Sequence, residues 1–583
     1  MLIEVEENKF HSVSGKYWSI KEVDNLKAQQ LVQKLNINDI LARFICSRGI
    51  DSDNVDIFLK PSLKKQLPSP FVIKDMSKGA DRIAKAIINK EKIAIFGDYD
   101  VDGATSTAAL YKILNMYGSV PIIYIPDRLK EGYGPNIRAF QYLKDEKVDL
   151  VITVDYGMTA IKEVDYANEL ELDIIVVDHH APEAKLPDAC AVINPNRIDD
   201  NSNLGMLAAV GVVFMLIGAI KIKLIDLEYV REDSSPNLSS ILDLVALGTI
   251  CDVVPLVGPN RALVAQGLRV MSKKNNIGIK TIFEIAGIEE YPKVFHAGFI
   301  IGPRINAGGR VGQSDLGSKL LITDKTEEAR EISYKLNDFN EQRKVIENNV
   351  IEDAKKMAFS QKEQRLLVLH SNNWHTGVIG IVASRIVEHF NKPAIIISEN
   401  GSNSKGSGRS VQGIDIGKLI TAAKQAGIIN NGGGHPMACG LTLDINKVND
   451  LSLFLNNKIK DKDINKKSLH WIDLSVAVKG ATIEMLSQFK NAEPFGSGNP
   501  EPIFIIQDAI VFNAKIVGEN HVRCDISDSS NARIGAIAFR SIKTNIGKTI
   551  LTNNKLHLIG KLKISEWNNK EYVQMHIIDV IKF

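Results

Sequence analysis

The sequence predicts an α/β fold built on a parallel sheet, a second α/β lobe reached through a long helix, and a small β-barrel at the C-terminal end. Three observations lead there. Between Asp75 and Asp178, helix-like stretches alternate with the short apolar runs Ile93–Phe96, Pro121–Ile125, Leu150–Val154 and Ile174–Val177, the pattern of strands covered on both faces in a parallel sheet. Residues Thr323 to Arg365 are rich in Lys, Glu, Asn and Asp with apolar residues at helical spacing, which reads as a long solvated connecting helix. From Phe504 onward come short alternating segments, Arg533–Phe539, Leu556–Gly560 and Tyr572–Ile578, as in a small barrel.

A chain of 583 residues exceeds what one hydrophobic core organises. The pattern divides it into an N-terminal region 1–75, a first α/β domain 76–322, the connecting helix 323–365, a second α/β domain 366–458 and the barrel domain 459–583. With 44% hydrophobic and 24% charged residues, the chain has material for several cores and is unlike a disordered protein. The net charge of +2 supplies no global field for a polyanion, so any such site has to be built locally. Five scattered cysteines without a C-x-x-C pair argue against a zinc site or a disulfide framework and fit a reducing cytoplasm. The acidic N-terminal stretch lacks the basic start and apolar run of an export signal. The uncharged run Leu204–Ile220, 17 residues with three glycines, is short for a bilayer and reads as a buried core helix.

The chemistry concentrates at strand ends. Asp98-Tyr-Asp-Val-Asp-Gly103 sets three carboxylates, Asp98, Asp100 and Asp102, at alternate positions just past a strand. Such a cluster is costly unless cations neutralise it. An EF-hand shares the D-x-D-x-D-G start, but the twelfth position is Ala109 and a strand precedes the loop, so that reading fails. Asp155 and the Asp178-His179-His180 triplet follow the runs Leu150–Val154 and Ile174–Val177, adding carboxylate and imidazole groups where open α/β sheets place their sites. Oxygen-rich coordination with one or two imidazoles suits Mn²⁺ or Mg²⁺.

This combination resembles the DHH phosphoesterase superfamily, and the resemblance continues through Gly248-Thr-Ile-Cys-Asp252-Val-Val-Pro-Leu256. It implies two divalent ions: Asp100 and Asp155 look like ligands of one, and Asp102, Asp155, His179 and Asp252 of the other, with Asp98 in the same set and His180 either a phosphate contact or a support behind the ligands. Two ions about 3.5–4 Å apart suit phosphodiester hydrolysis without a covalent nucleophile.

Within the superfamily, the chain resembles RecJ over nearly its full length: Phe58-Leu-Lys-Pro61, Gly302-Pro-Arg-Ile-Asn-Ala-Gly-Gly-Arg310, Gly377-Val-Ile-Gly-Ile-Val-Ala-Ser-Arg385 and Glu493-Pro-Phe-Gly-Ser-Gly-Asn-Pro500. Gly432-Gly-Gly-His-Pro-Met-Ala-Cys-Gly440 resembles the DHHA1 substrate-binding motif, which assigns Gly433, Gly434 and His435 to substrate. The resemblance further implies that Arg304, Asn306 and Arg310 hold phosphates, and that Arg128, Ser407 and Arg409 grip a 5′-terminal phosphate. Glycine stands at 308 and 408 where the family usually has alanine, and at 408 it is expected to loosen a loop. The C-terminal segment resembles an OB-fold; from Ile503 to Phe583 it carries 11 Lys and Arg against 7 Asp and Glu, and Phe512, Phe539, Trp567 and Tyr572 are candidates for base stacking.

The implied activity is metal-dependent 5′ to 3′ exonucleolytic digestion of single-stranded DNA by a cytoplasmic monomer, with a single-strand-binding protein and a helicase as partners and no membrane. A cleft between lobes would exclude duplex. The alternatives are a DHH oligoribonuclease or cyclic-dinucleotide phosphodiesterase, which usually lacks the C-terminal OB-fold, and a catalytically dead DNA-binding subunit, against which the intact acidic set argues.

Overall fold

The structure is a computed structural model that describes residues 9–127, 131, 134–182, 185–460, 469–568 and 570–582. The chain forms two compact units, Leu63–Lys466 and the paired ends Met1–Ser62 with Lys467–Phe583.

In the larger unit, the apolar runs become strands Ile93–Gly97 (β1), Ile122–Tyr124 (β2), Leu150–Val154 (β3), Asp173–Val177 (β4) and Ala191–Ile193 (β5), all parallel in the order β2-β1-β3-β4-β5. Every residue of β1 and β3 is buried, which explains why these runs are apolar throughout and do not alternate. Register sets their ends level: Gly97 pairs with Val154, Val154 with Val177, and Val177 with Ile193. Asp98, Asp155, Asp178 and Asn194 are therefore the first residues past four neighbouring strands, which lie about 4.8 Å apart.

Helix α1 (Val101–Met116) follows β1. The uncharged run becomes most of α2 (Ala209–Asp226), buried from Ala209 through Ile217; among the described residues no helix is long and apolar enough to cross a membrane. Helix α3 (Leu242–Cys251) ends at Asp252, and α4 (Gly302–Val311) carries the Gly302–Arg310 motif. The connecting helix is α5 (Thr326–Ser360), 35 residues or about 50 Å long. Its Ala329, Ile332 and Leu336 pack in the core around the parallel sheet, while Val350, Ile351, Ala354 and Ala358 pack in the core of the second lobe. One helix thus belongs to two cores, and its polar remainder faces water.

The second lobe is a mixed sheet of Leu367–Ser371 (β6), Ala394–Ser398 (β7), Ser404–Arg409 (β8), Asn431–His435 (β9) and Ala438–Leu443 (β10), in the order β9-β10-β8-β7-β6. Helix α6 (Ile379–Phe390) lies between β6 and β7 in sequence, and α7 (Ile416–Gln425) between β8 and β9. Gly408 lies within strand β8, not in a loop. A Cβ there would come within 2.5 Å of Cys439 Sγ and 2.9 Å of Ile416 Cδ1, so its glycine admits helix packing and does not loosen a turn.

In the smaller unit, strands Phe504–Val517, His521–Ser527, Arg533–Ala538, Lys570–Ile581 and Lys555–Trp567 pair in that order, and the last pairs back to the first, closing a five-stranded barrel. The N-terminal segment belongs here. Ala28, Leu31, Leu41, Phe44 and Ile45 share one core with Phe504, Ile506 and Ala536 of the barrel, and buried Asp473 accepts from Lys21 at 2.8 Å and from Arg48 at 2.9 Å.

Candidate metal centre and phosphate cavity

Three groups of side chains bring ligand atoms within 4.8 Å of one another: Asp98, Asp100 and Asp155; Asp102, His179 and Asp252; and Asp155, His179 and His180. Asp155 and His179 are each shared by two of these groups. The seven residues singled out as the acidic and imidazole constellation therefore meet at one place, at the C-terminal edge of the parallel sheet.

Local geometry explains how. Asp98 leaves β1, Asp100 caps α1 by accepting from Gly103 N at 3.0 Å, and Asp102 sits in the first helical turn. Gly103 is required, because a Cβ there would come within 2.6 Å of the Asp98 carbonyl oxygen. Asp102 also receives the amides of Ala209 at 2.7 Å and Val210 at 2.9 Å, so its carboxylate caps the N-terminus of α2. Asp155 has a φ of 70° and Val253, next to Asp252, has 62°. Each such backbone costs on the order of 1–3 kcal/mol and is typical of sites where a side chain has to be aimed.

The clustered carboxylates are costly as anions unless a cation or protons neutralise them. Burial first, and then the neighbouring carboxylates, push Asp102 and Asp155 well above the ordinary carboxylate range. Burial and the charge of Asp100 raise Asp252 to about 7. His179 is held down at about 4 by burial and by the charge of His180, so it is neutral at physiological pH. Its contacts to Asp155 at 3.4 Å and Asp102 at 3.8 Å are consequently not ion pairs, despite their length. His179 donates a ring N–H to the Leu207 carbonyl, while its buried Nε2 has no hydrogen-bond partner among the described residues. A neutral imidazole nitrogen facing two destabilised carboxylates is a ligand arrangement with its other ring nitrogen oriented by backbone.

Asp178 does a different job that sequence reasoning passed over. It accepts from the amides of His179 and His180, from Met158 N at 3.0 Å, and faces His180 Nδ1 at 2.7 Å. Burial, the largest single influence, opposes ionisation of both partners, but their mutual hydrogen bond and charge, together with backbone amides on Asp178 and the charges of Asp252 and Asp100 on His180, outweigh it, lowering Asp178 and raising His180 to about 9. Asp178 thus orients both histidines and keeps His180 cationic, able to meet a phosphate. The signal was available, since Asp178 follows β4 as Asp155 follows β3. Asn260 gave no such signal: it is fully buried and donates to Met206 O at 2.6 Å and Pro255 O at 3.0 Å, tying the segment after Asp252 to the one that Asp102 caps.

A stability prediction follows from Asp252. Without divalent cations its raised pKa means that the folded protein holds a proton that the unfolded chain releases. That contribution is complete below the ordinary carboxylate pKa and is lost as pH rises through about 7. Asp252→Asn keeps the neutral form, so in EDTA the variant should gain on wild type between pH 5 and pH 8, by on the order of 1–3 kcal/mol. Thermal melts of both proteins at the two pH values check this; an equal difference at both pH values refutes it.

Beside the metal-ready cluster, a cavity of about 1060 Å³ is lined by Tyr99 and Arg310 on one side and by Ser407, Arg409, Gly433 and Gly434 on the other. Arg310 donates to Gly377 O at 3.1 Å, and Arg409 to Gly408 O at 2.9 Å. The first turn of α6 lies over Ser407 and Arg409, with the Cβ direction of Gly380 3.1 Å from Ser407 Oγ, adding a helix N-terminus to two guanidinium groups. Tyr99 rests its ring on Gly309 of α4.

Not every expected residue reaches the cavity. Arg304 spends its donors on Ile300 O at 2.8 Å and Asn337 Oδ1 at 3.1 Å, which fastens α4 to α5, and neither it nor Asn306 lines the cavity. On an α-helix, residues 304 and 310 are six positions apart and face different ways, so one motif serves two purposes. His435 is exposed at the end of the edge strand β9 and is not among the lining residues. Arg128 and the side chain of Trp567 lie outside the described residues. On the barrel, Phe539 is exposed and meets His521 and His576 edge-on, while the Arg533 guanidinium lies 5.1 Å from the Phe512 ring centroid.

Comparison with known proteins matches the architecture. Residues 92–249 match the DHH family, N-terminal domain, residues 363–461 the DHHA1 domain and residues 472–579 the RecJ OB domain. The single-stranded-DNA-specific exonuclease RecJ of Bacillus subtilis is 34% identical over 96% of this chain and 70% of its own length, and that of Escherichia coli is 32% identical over 93% and 95%. The crystal structure of RecJ in complex with Mn²⁺ from Thermus thermophilus superposes with a TM-score of 0.82 at 26% identity, covering 97% of this chain and 79% of that one. With this identity sustained from end to end, over both α/β lobes and the barrel, the chain belongs to the RecJ family of the DHH superfamily.

Proposed function

We propose that this protein is a divalent-metal-dependent exonuclease that removes nucleotides from the 5′ end of single-stranded DNA. The observation that carries the proposal is the orphaned, buried Nε2 of His179 among destabilised carboxylates, placed in the same unit as a cavity lined by cationic side chains and, among the described residues, no carboxylate. A donor set of carboxylates and imidazole fits Mn²⁺ or Mg²⁺, the ions in complex with which Thermus thermophilus RecJ has been crystallised. Asp98, Asp100 and Asp155 would hold one ion and Asp102, Asp155, His179 and Asp252 the second. When bound, the pair supplies an activated water and charge stabilisation for in-line phosphodiester hydrolysis.

The protein's own groups account for the rest. Arg310, Ser407 and Arg409, under the N-terminus of α6, bind the terminal phosphate and so place the first internucleotide bond at the acidic cluster. His180, kept cationic by Asp178, contacts the scissile phosphate. The closed barrel binds the strand further along through stacking and basic side chains; its presence favours a polynucleotide over the dinucleotide substrates of smaller DHH enzymes. We infer further that the protein works as a cytoplasmic monomer with a single-strand-binding protein and a helicase, which would supply coated and unwound strands.

The test is digestion of 5′-phosphorylated single-stranded DNA, RNA and duplex DNA of one sequence with Mn²⁺. Release of mononucleotides from the 5′ end of single-stranded DNA, with duplex resistant, is the expected result. Preferential loss of only two- to five-residue RNA would instead favour an oligoribonuclease.

A further inference from the structure

The cavity extends past the groups that the terminal phosphate needs. Alternate residues of strands β8, β10 and β9 share one face of the sheet in three rows set by register, and all of them but Ala438 and His435 line the cavity. One row is Arg409, Ala438 and His435; the next is Ser407, Gly440 and Gly433; the third is Lys405, Thr442 and Asn431. Successive rows are about 7 Å apart along the strands. The opposite face of these strands is packed: Cys439 and Leu441 share a core with Ile416 and Ile420 of α7.

The middle row carries no side chain beyond the Ser407 hydroxymethyl. Gly433 and Gly440 are register partners, neither has a positive φ, and a Cβ added to either would meet nothing within 4 Å. Neighbouring Gly432 and Gly434 are different, since Cβ atoms there would reach Ile420 and the Ala438 carbonyl. Packing thus accounts for glycine at 432 and 434 but not at 433 and 440. What bare backbone provides at the latter two is open floor for a ligand.

The third row is cationic. Lys405 is exposed on the cavity face, and Lys424 reaches from α7 to Asn431 Oδ1 at 2.8 Å, which holds its ammonium at the same margin. Together with Arg310 and Arg409 these give four cationic side chains, and the described lining includes no Asp or Glu. A terminal monophosphate carries about −2, matched by the two arginines. Lys405 and Lys424 are left over, one row beyond, across a floor that nothing among the described residues fills.

We infer that this row is a subsite for additional 5′ phosphates, so that the protein also accepts strands with a 5′-di- or triphosphate, the end left when a polymerase begins a chain de novo. The inference rests on the placement of the terminal phosphate at Ser407 and Arg409 proposed above. The α-phosphate keeps that position, and the β- and γ-phosphates lie over Gly440 and Gly433 towards Lys405 and Lys424. Each further phosphate adds negative charge, and the ammonium groups answer it as mobile point charges without demanding one fixed geometry. The reaction itself is unchanged. Water adds to the scissile phosphorus, the bond to the 3′ oxygen breaks, that oxygen leaves with a proton, and the shortened strand carries a new 5′-monophosphate. The first product is then a nucleoside 5′-triphosphate, and every later one a monophosphate.

The experiment compares one oligodeoxynucleotide bearing a 5′-triphosphate, a 5′-monophosphate or a 5′-hydroxyl, digested with Mn²⁺ at a single salt concentration by wild type and by Lys405→Gln/Lys424→Gln, with products separated by anion-exchange chromatography. Wild type should release the deoxynucleoside triphosphate first, at a rate well above that on the hydroxyl end. The double variant should lose roughly 10-fold or more on the triphosphate end, the worth of a charged hydrogen bond, while its rate on the monophosphate end stays unchanged. Three results overturn the subsite while leaving the nuclease standing: a triphosphate end cut no faster than a hydroxyl end, release of pyrophosphate ahead of a monophosphate, or an equal loss on both phosphorylated ends in the variant. Inactivity of wild type on all three ends overturns the nuclease reading and the subsite with it.

Discussion

Asp155→Asn abolishes hydrolysis while single-stranded DNA still binds. Asp155 belongs to two of the three metal-ready groups, and its carboxylate is buried among the charges of Asp98, Asp100, Asp102 and Asp252. Replacing it with an amide removes the anionic donor at the point where both ion positions meet. Loss of two-ion stabilisation is worth several kcal/mol of barrier, hence more than ~100-fold in rate. The affinity for a long oligonucleotide, measured by fluorescence anisotropy, should be unchanged, because the contacts proposed for the arginines and the barrel are left intact. The choice of residue matters. Asp102 also caps α2 through two amide hydrogen bonds, so Asp102→Ala would mix lost chemistry with about 1 kcal/mol of lost helix capping. Near-normal turnover by folded Asp155→Asn protein would remove the metal-centre assignment.

Arg409→Ala slows digestion of 5′-phosphorylated strands far more than 5′-hydroxyl strands. Arg409 is pinned along β8 by its bond to the Gly408 carbonyl, with Ser407 Oγ 3.4 Å from Nη1 and Gly380 of α6 beside Nη2. Burial lowers its pKa from the usual guanidinium value, yet no guanidinium loses its proton at working pH, so the desolvated charge stays available for an anion. Each charged hydrogen bond lost costs roughly 1.5–3 kcal/mol, or about 10- to 150-fold if made in the transition state. Arg409→Lys should rescue in part, keeping charge but not the planar paired donors. The two end chemistries need one salt concentration, since backbone contacts elsewhere weaken as salt rises. If wild type and Arg409→Ala show the same ratio of rates on the two ends, Arg409 does not read the terminus.

Much of the centre was legible in the primary structure because parallel strands expose their chemistry in a fixed place. Apolar runs of about five residues, each followed at once by Asp, mark the ends of buried strands, so Asp98, Asp155 and Asp178 could be grouped before any coordinates. Register then had only to set those ends level. The long helix was equally plain, since its polar composition and helical spacing persist through α5.

Other features are long-range and leave no local trace. That Asp102 caps a helix beginning 107 residues later, that Asn260 braces the loop after Asp252, and that Arg304 turns to α5 while Arg310 turns to the cavity depend on how helices pack, which periodicity does not encode. The same holds for residues 9–62. Their apolar positions indicate buried faces, but only the tertiary structure shows that they bury them against the barrel some 500 residues away.

The sequence by itself thus determined the fold class, the strand-end carboxylates and histidines, and the family, because burial periodicity and short motifs are local properties of the chain. The tertiary structure decided which of those groups lie within reach of one another, which arginines line the cavity and which hold helices together. It also showed that the middle of the glycine motif is a bare floor between two cationic rows. Those outcomes are set by strand register and by packing between segments distant in sequence, where a residue's partner, and not its type, determines its role.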